Sequence, residues 1–416
     1  CALPDAARDL AERAHEHRAR LSPHDQLVLS AQRAWLDGGY GEAESLYTTI
    51  TGTYPDDVEV WFHLGDLLYH LNPMRGRSVV EARAPFQRVM SLEPDHLQAI
   101  THLARIAALE GRRGEMLELI GHALRTGPDA DQALPMRALR AFAVGDAAAM
   151  EAVVSELRSG RATTVASAFA DIGVYAGDLA GAESLVRQFI EVARAPELRA
   201  LCHIQLAHLA VAQGKVEPAR DELLRAEALD QSWGLENRAL LALLPFATAP
   251  AADLERLRAD LTAWDPEGAP PSAFPVLAMH NGLHAPIREY LLGMTALRLD
   301  DRDAARSRAA ALGSGPSDGG LADCLATELA AAVARAEGRP AEALSILERT
   351  RPRLWYQLTL ASPFCCLTSR RFLQAELLRE VGRVGEAKGW YGSLVQRSPY
   401  ELVYREAARA RLAPLG

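Results

Sequence analysis

Three residues in the stretch WFHLGDLLYH are of types that bind metals or transfer protons: His63, Asp66 and His70. The two histidines are seven positions apart. In a helix this spacing places them about 10 Å apart along the axis, which is too far for both imidazoles to bind one ion. The spacing therefore favours a position on a helix surface over a metal or catalytic site.

One pair of histidines, His280 and His284, has the i, i+4 spacing that places two side chains on the same face of a helix. This spacing suits two ligands of one metal ion, but no third ligand of suitable spacing follows them. The sequence therefore predicts no metal site here, and it favours capping or local hydrogen bonding as the role of the pair.

Two further patterns resemble catalytic motifs in composition only. Gly315–Gly319 has the form Gly-x-Ser-x-Gly around Ser317, but this motif requires a strand-to-helix turn and a later histidine, and no histidine follows His284. The adjacent Cys365 and Cys366 lie in an apolar segment and are more typical of buried side chains than of a redox pair. We therefore predict that the protein is not an enzyme and has no cofactor.

The composition indicates an all-α protein. At 416 residues the chain is too long for one compact core, and helix-forming residues dominate without any strand-like pattern. The net charge of −9 argues against nucleic acid as the main partner. The longest apolar run, Ala239–Ala252, is too short to cross a membrane and is interrupted by prolines.

A repeated spacing organises the chain. A small residue, a bulky apolar residue, another apolar residue and a proline recur with spacings of 4, 3 and 5, and each copy follows a second apolar helix with a small residue such as Gly65. The small residue lets two helices approach, the bulky residue fills the groove beside it, and the proline ends the unit. The copies are Ala43, Tyr47, Ile50 and Pro55; Ala82, Phe86, Val89 and Pro94; and Ala387, Tyr391, Leu394 and Pro399.

This pattern resembles the tetratricopeptide repeat, strongly over 24–128 and clearly over 199–232 and 321–399. The resemblance implies a tetratricopeptide-type α-solenoid, a right-handed superhelix of about nine helical hairpins. The expected organisation is a capping helix (1–23), well-formed repeats (24–128), degenerate repeats (129–264), a proline-rich irregular segment (265–288), and C-terminal repeats with a cap (289–416).

The function predicted from this fold is a non-enzymatic scaffold that binds a protein or peptide partner on its concave face. The residues expected to line that groove are His63, Asp66, His102 and Arg105. The stretch TYPDDVEVWFHLGDLLYH and the repeat after it also resemble repeat regions attached to bacterial serine/threonine kinases and signalling regulators. An alternative function is therefore the regulatory or docking region of a larger signalling kinase.

Residue 1 is a cysteine, and two interpretations of it stay open. A bacterial lipoprotein begins with cysteine once its signal peptide is removed, so Cys1 could carry lipid on an exported or cell-surface protein. Copies of such a protein could also assemble head to tail into filaments. In the other interpretation Cys1 is where a longer chain was trimmed, which is compatible with a cytoplasmic signalling protein.

Overall fold

The computed structural model describes residues 4–268, 272, 274–315, 319–353, 358–359 and 362–415, and it contains no strand within these ranges. Consecutive α-helices pack together as hairpins along the chain. The α-helices are α1 (Pro4–Glu16), α2 (Pro23–Leu36), α3 (Tyr40–Thr53), α4 (Val58–Leu71), α5 (Arg83–Leu92), α6 (Leu97–Leu109), α7 (Arg113–Thr126), α8 (Ala133–Val144), α9 (Ala147–Leu157), α10 (Ala162–Ala170), α11 (Leu179–Val192), α12 (Pro196–Ala212), α13 (Val216–Leu229), α14 (Gln231–Ala242), α15 (Ala251–Ala263), α16 (Pro275–Asn281), α17 (His284–Arg298), α18 (Arg302–Leu312), α19 (Leu321–Ala336), α20 (Pro340–Arg349), α21 (Thr368–Glu380), α22 (Val384–Gly392) and α23 (Arg405–Leu412).

The helices of a pair are joined by the short glycine turns that the sequence predicts. Gly111 separates α6 from α7 with φ of 69°, and Gly214 separates α12 from α13 with φ of 73°. Such left-handed backbone conformations favour glycine, because a side chain would clash with the neighbouring carbonyl group. Each pair can therefore reverse its direction within a few residues.

The repeated residues lie where the helices of the hairpins meet. Ala43, Tyr47 and Ile50 of α3 are fully buried, and so is Phe86 of α5. A Cβ atom at Gly65 of α4 would lie only 2.6 Å from the ring of Phe86, so the bulky residue of one helix fills the space that the small residue of the other leaves open. The prediction of a tetratricopeptide-type α-solenoid is confirmed.

We expect Gly65→Ala to lower the free energy of unfolding by about 2 kcal/mol, because the added methyl group would displace the buried Phe86 ring from a packed core. Gly52→Ala is the matched control, since a Cβ atom at Gly52 of α3 meets nothing within 4 Å. It should raise the free energy of unfolding by about 0.5 kcal/mol through helix propensity. Urea unfolding of both variants tests this packing, and equal effects on stability would contradict it.

The segment 265–288 is more regular than the sequence analysis expects. It contains α16 and the first turn of α17, so the prediction of an irregular segment is wrong for these residues. Pro275 begins α16, and Pro286 is the third residue of α17. Proline is tolerated in the first turn of a helix because the backbone N–H groups there have no partner within the helix. These prolines therefore start helices rather than prevent them.

The N-terminal hairpins of the array contact its C-terminal part. The Tyr40 hydroxyl donates a hydrogen bond of 2.6 Å to the carbonyl oxygen of Pro352, 312 positions away. The side-chain oxygen of Gln396 accepts a hydrogen bond of 2.9 Å from the backbone N–H of Val79. The indole ring of Trp390 lies against Gly76. The superhelix is therefore closed on itself, a feature that the repeat pattern does not predict.

A 3₁₀ segment before α23, which we name the inner segment (Pro399–Tyr404), is buried along its whole length. It packs against α12, with the ring of Tyr400 5.0 Å from that of His208. Leu402 also lies near Gly173. The inner segment therefore contacts both α12 and the turn that contains Gly173.

Candidate functional site

A cavity of about 160 Å³, which we name the polar cavity, lies among the first helices of the N-terminal hairpins. Its walls come from α4, α6 and α10, and residues from the C-terminal part of the chain close it on one side. The polar and aromatic side chains that line it include Tyr69, His70, His102, Arg105, Gln132, Ser167, Asp171, Tyr175 and Arg397.

An ion pair between Arg105 and Asp171 forms one wall of the polar cavity. The guanidinium group donates two hydrogen bonds to the carboxylate, of 2.7 and 3.0 Å, and a third of 3.0 Å to the side chain of Gln132. Burial raises the pKa of Asp171, although Arg105 opposes the shift. Burial alone would lower the pKa of Arg105, but the Asp171 carboxylate raises it. The two-point geometry holds the guanidinium group in one orientation.

A π-helix, Asp171–Tyr175, continues α10 and positions two of the cavity residues. It places the Asp171 carboxylate against Arg105 and brings the Tyr175 hydroxyl to 2.6 Å from that of Tyr69 on α4. The guanidinium carbon of Arg105 also lies 5.9 Å from the centre of the Tyr175 ring. Single π-helical turns are frequent at functional sites. No pattern in the sequence predicts this turn, because a π-turn has no distinct hydrophobic period.

Asp66, His70 and His102 meet at the edge of the polar cavity. His70 Nε2 lies 3.1 Å from Asp66 Oδ1, and His102 Nε2 lies 3.9 Å from the same oxygen. Burial, followed by the effect of His70, lowers the pKa of His102 to about 3. Burial also lowers the pKa of His70, although Asp66 opposes the shift. Both rings are therefore neutral near pH 7.

The structure places the four residues expected to line the groove in different surroundings. His102 and Arg105 line the polar cavity, and Asp66 contacts its edge through His70. His63 lies apart, with its ring stacked 5.9 Å from that of Tyr47 and its Nε2 atom 3.6 Å from Glu59. Asp66 and His70 form an i, i+4 pair, a spacing that the prediction based on His63 and His70 did not include.

His280 and His284 share one buried carboxylate, that of Glu236, and the side chains of all three are fully buried. His280 Nε2 lies 2.8 Å and His284 Nδ1 lies 2.7 Å from the two carboxylate oxygens. Burial alone would raise the pKa of Glu236, but the two imidazoles lower it. The indole ring of Trp233 packs 3.9 Å from the ring of His280. Glu236 precedes the histidines by more than forty positions, so a search for a third residue after them could not find it.

Of the remaining sequence candidates, the structure describes the two adjacent cysteines. Cys365 and Cys366 are buried, and burial raises the pKa of Cys365 to about 12, which disfavours the reactive thiolate. Burial likewise raises the pKa of Cys366. Ser317 and Cys1 lie outside the described residues. No α-helix within the described ranges is long and apolar enough to span a membrane.

No protein-family model matches the sequence, and no curated protein matches it. Solved structures with detectable similarity include the TPR domain of P58(IPK), the Cut9–Hcn1 hetero-tetramer of the APC/C, and Naa15/Naa10 bound to HypK. Each is 13% identical in sequence, and the TM-scores are 0.23, 0.36 and 0.26 respectively. The matches cover 95%, 91% and 95% of this chain and 97%, 67% and 66% of the matched chains.

Similarity at this level carries no argument about partners or function. The assignment of the class depends on the protein's own helix pairs, glycine turns and buried repeat residues. These features define a tetratricopeptide-type α-solenoid that contains a buried inner segment and a polar cavity.

Proposed function

We propose that this protein is a non-enzymatic scaffold for protein–protein interaction, and that its partner inserts one acidic side chain into the polar cavity. The observation that carries this proposal is the position of the cavity. The inner segment packs against α12, whereas among α4, α6 and α10, helices that we expect to line the concave face, a polar space of about 160 Å³ remains. Repeat solenoids commonly bind their partners on this face.

The size and chemistry of the polar cavity favour a single acidic side chain. Its volume of about 160 Å³ is below the roughly 300–1,000 Å³ of pockets that enclose drug-sized ligands, so it suits one side chain rather than a helix or strand of the partner. Arg105 and Arg397 place two guanidinium groups at its walls, and the Asp171 carboxylate pairs with Arg105. Guanidinium groups are well suited to binding carboxylates. The net charge of −9 argues against nucleic acid as the ligand.

Filling the cavity should weaken the binding of peptides selected on the native protein. Ser167 lies on the cavity wall in α10. We expect Ser167→Phe to lower the affinity for peptides chosen from a random display library by roughly tenfold or more. Ser155→Phe is the matched control, since Ser155 lies exposed on α9. Fluorescence polarisation measures the dissociation constants, and thermal melting shows whether both variants fold. Equal affinity of the peptides for the two variants would contradict binding at the cavity.

The more specific alternatives stay predictions from the sequence. Lipidation of Cys1 concerns a residue outside the described ranges, and the mass of the N-terminal peptide from native cells tests it. The same peptide would extend upstream of Cys1 if the chain belongs to a larger signalling kinase. Assembly head to tail also stays a prediction, and sedimentation at increasing protein concentration tests it.

A further inference from the structure

The orientation of the His102 ring is fixed by a hydrogen bond on the side away from Asp66. Nδ1 of His102 lies 2.7 Å from the backbone carbonyl oxygen of Gln98. A carbonyl oxygen only accepts hydrogen bonds, so Nδ1 carries a hydrogen and donates it. The other ring nitrogen, Nε2, is therefore directed towards Asp66. Histidines that bind metals are commonly oriented in this way by a carbonyl or carboxylate behind them.

His102 and Asp66 face each other but do not form a hydrogen bond. The 3.9 Å between His102 Nε2 and Asp66 Oδ1 exceeds the range of a hydrogen bond. Among the described residues no other hydrogen-bond partner reaches Nε2 of His102. His70 Nε2 approaches the same carboxylate oxygen at 3.1 Å. Neutral His70 therefore donates the hydrogen on Nε2 to Asp66, and a bound cation would replace that hydrogen, which leaves as a proton, so that Asp66, His70 and His102 would each direct one donor atom at the ion.

We propose that Asp66, His70 and His102 bind a divalent transition-metal ion of the zinc class. One carboxylate oxygen and two imidazole nitrogens are ligands that zinc prefers. The three donor atoms all lie within 4.8 Å of one another. Tetrahedral coordination with bonds of about 2.1 Å would place them about 3.4 Å apart, so the site closes after a small movement of the His102 ring.

The fourth coordination position has room for a further ligand. His70 and His102 both line the polar cavity, whose volume of about 160 Å³ admits water beside the ion. A site with three protein ligands and one open position is typical of zinc that exchanges its fourth ligand. This proposal does not depend on a peptide partner, because water can complete the coordination.

The cluster of Glu236, His280 and His284 differs because each of its imidazoles already makes a hydrogen bond to the carboxylate, whereas His102 does not reach Asp66. Both carboxylate oxygens of Glu236 accept a hydrogen bond from an imidazole, at 2.8 and 2.7 Å. The donor atoms are therefore satisfied by one another, and their side chains are fully buried. We assign this cluster a hydrogen-bonding role that joins α14, α16 and α17. It supplies an internal control for the metal experiment.

Zinc titration of the chelator-treated full chain by calorimetry tests the proposal. We expect one zinc ion per chain, and a loss of affinity of at least tenfold in His102→Gln and in Asp66→Asn. Two controls, His122→Gln on α7 and His280→Gln, should bind zinc like the native protein. Cobalt in place of zinc should give the visible absorption of a four-coordinate site. Thermal melting without metal separates loss of a ligand from loss of fold, and Asp66→Asn is the more conservative change.

Three outcomes would overturn the proposal. The native protein could fail to bind zinc or cobalt, which would leave Asp66, His70 and His102 as a polar cluster. Zinc binding could survive both ligand changes in folded variants, which would place the ion elsewhere. Loss of binding in His280→Gln alone would assign the metal to the cluster around Glu236.

Discussion

Arg371→Met should lower the free energy of unfolding by about 3–5 kcal/mol, because it leaves the Glu401 carboxylate buried without its positive partner. Each side chain of this ion pair is only 2% exposed. Arg371 also donates hydrogen bonds to the carbonyl oxygens of Cys366 and Ser393. The pair fixes the inner segment, which contains Glu401, to α21, which contains Arg371. The cost therefore combines an unpaired charge with unsatisfied carbonyl groups.

A double substitution separates these contributions. The second carboxylate oxygen of Glu401 accepts the backbone N–H groups of Gln396 and Arg397, at 3.0 and 3.2 Å. A glutamine at position 401 keeps an acceptor for them but carries no charge. We therefore expect Arg371→Met with Glu401→Gln to be about 1–2 kcal/mol more stable than Arg371→Met alone.

Equilibrium unfolding in guanidinium chloride measures both variants. Arg409→Met is the control, because Arg409 forms an exposed ion pair with Glu406, in which the side chains are 67% and 72% exposed. Such pairs contribute at most about 1 kcal/mol. If Arg371→Met cost no more than Arg409→Met, the ion pair with Glu401 would not be buried.

The second large effect is a loss of stability in mild acid that comes from His208. This residue of α12 is 1% exposed, and its Nε2 atom lies 3.0 Å from the side-chain oxygen of Asn237. Burial lowers the pKa of His208 to about 4 from an ordinary 6.5, although the hydrogen bond with Asn237 opposes the shift. Between these values the unfolded chain binds a proton that the folded chain does not. Stability therefore decreases as the pH falls through this window, by roughly 3 kcal/mol in total.

His208→Gln should remove this contribution, because glutamine can donate a hydrogen bond to Asn237 and does not titrate. We expect the free energy of unfolding of the variant to fall by about 3 kcal/mol less than that of the native protein between pH 6.5 and pH 4. Urea unfolding at a series of pH values measures the two slopes. Identical slopes would mean that His208 takes up a proton in the folded protein as readily as in the unfolded chain.

The sequence predicts the parts of this fold that depend on neighbouring residues. The spacing of Ala43, Tyr47 and Ile50 predicts which residues are buried between helices, because each hairpin buries the same positions against the next one. The proline-rich segment misled the prediction because a proline in the first turn of a helix has the same sequence signal as a proline in a loop. The contact of Tyr40 with Pro352 left no local trace, since 312 positions separate the two residues.

The candidate site shows the same division between local and distant signals. Asp66 and His70 are one helical turn apart and could have been paired from the sequence alone. His102 joins them only because α6 packs beside α4, and Asp171 reaches Arg105 only because α10 ends in a π-turn. Neither event has a periodic signature. The sequence shows which residue types could form the site, but the packing of the helices decides which of them are in contact.

The contact between the two ends of the array restricts how this gene can change in evolution. Open repeat arrays can gain or lose whole units by duplication or deletion, because each unit contacts only its neighbours. Here an extra hairpin would separate Tyr40 from Pro352 and Val79 from Gln396. The number of hairpins is therefore fixed by the contacts between the ends. We expect related chains to vary in loop length while keeping the same count of helical hairpins.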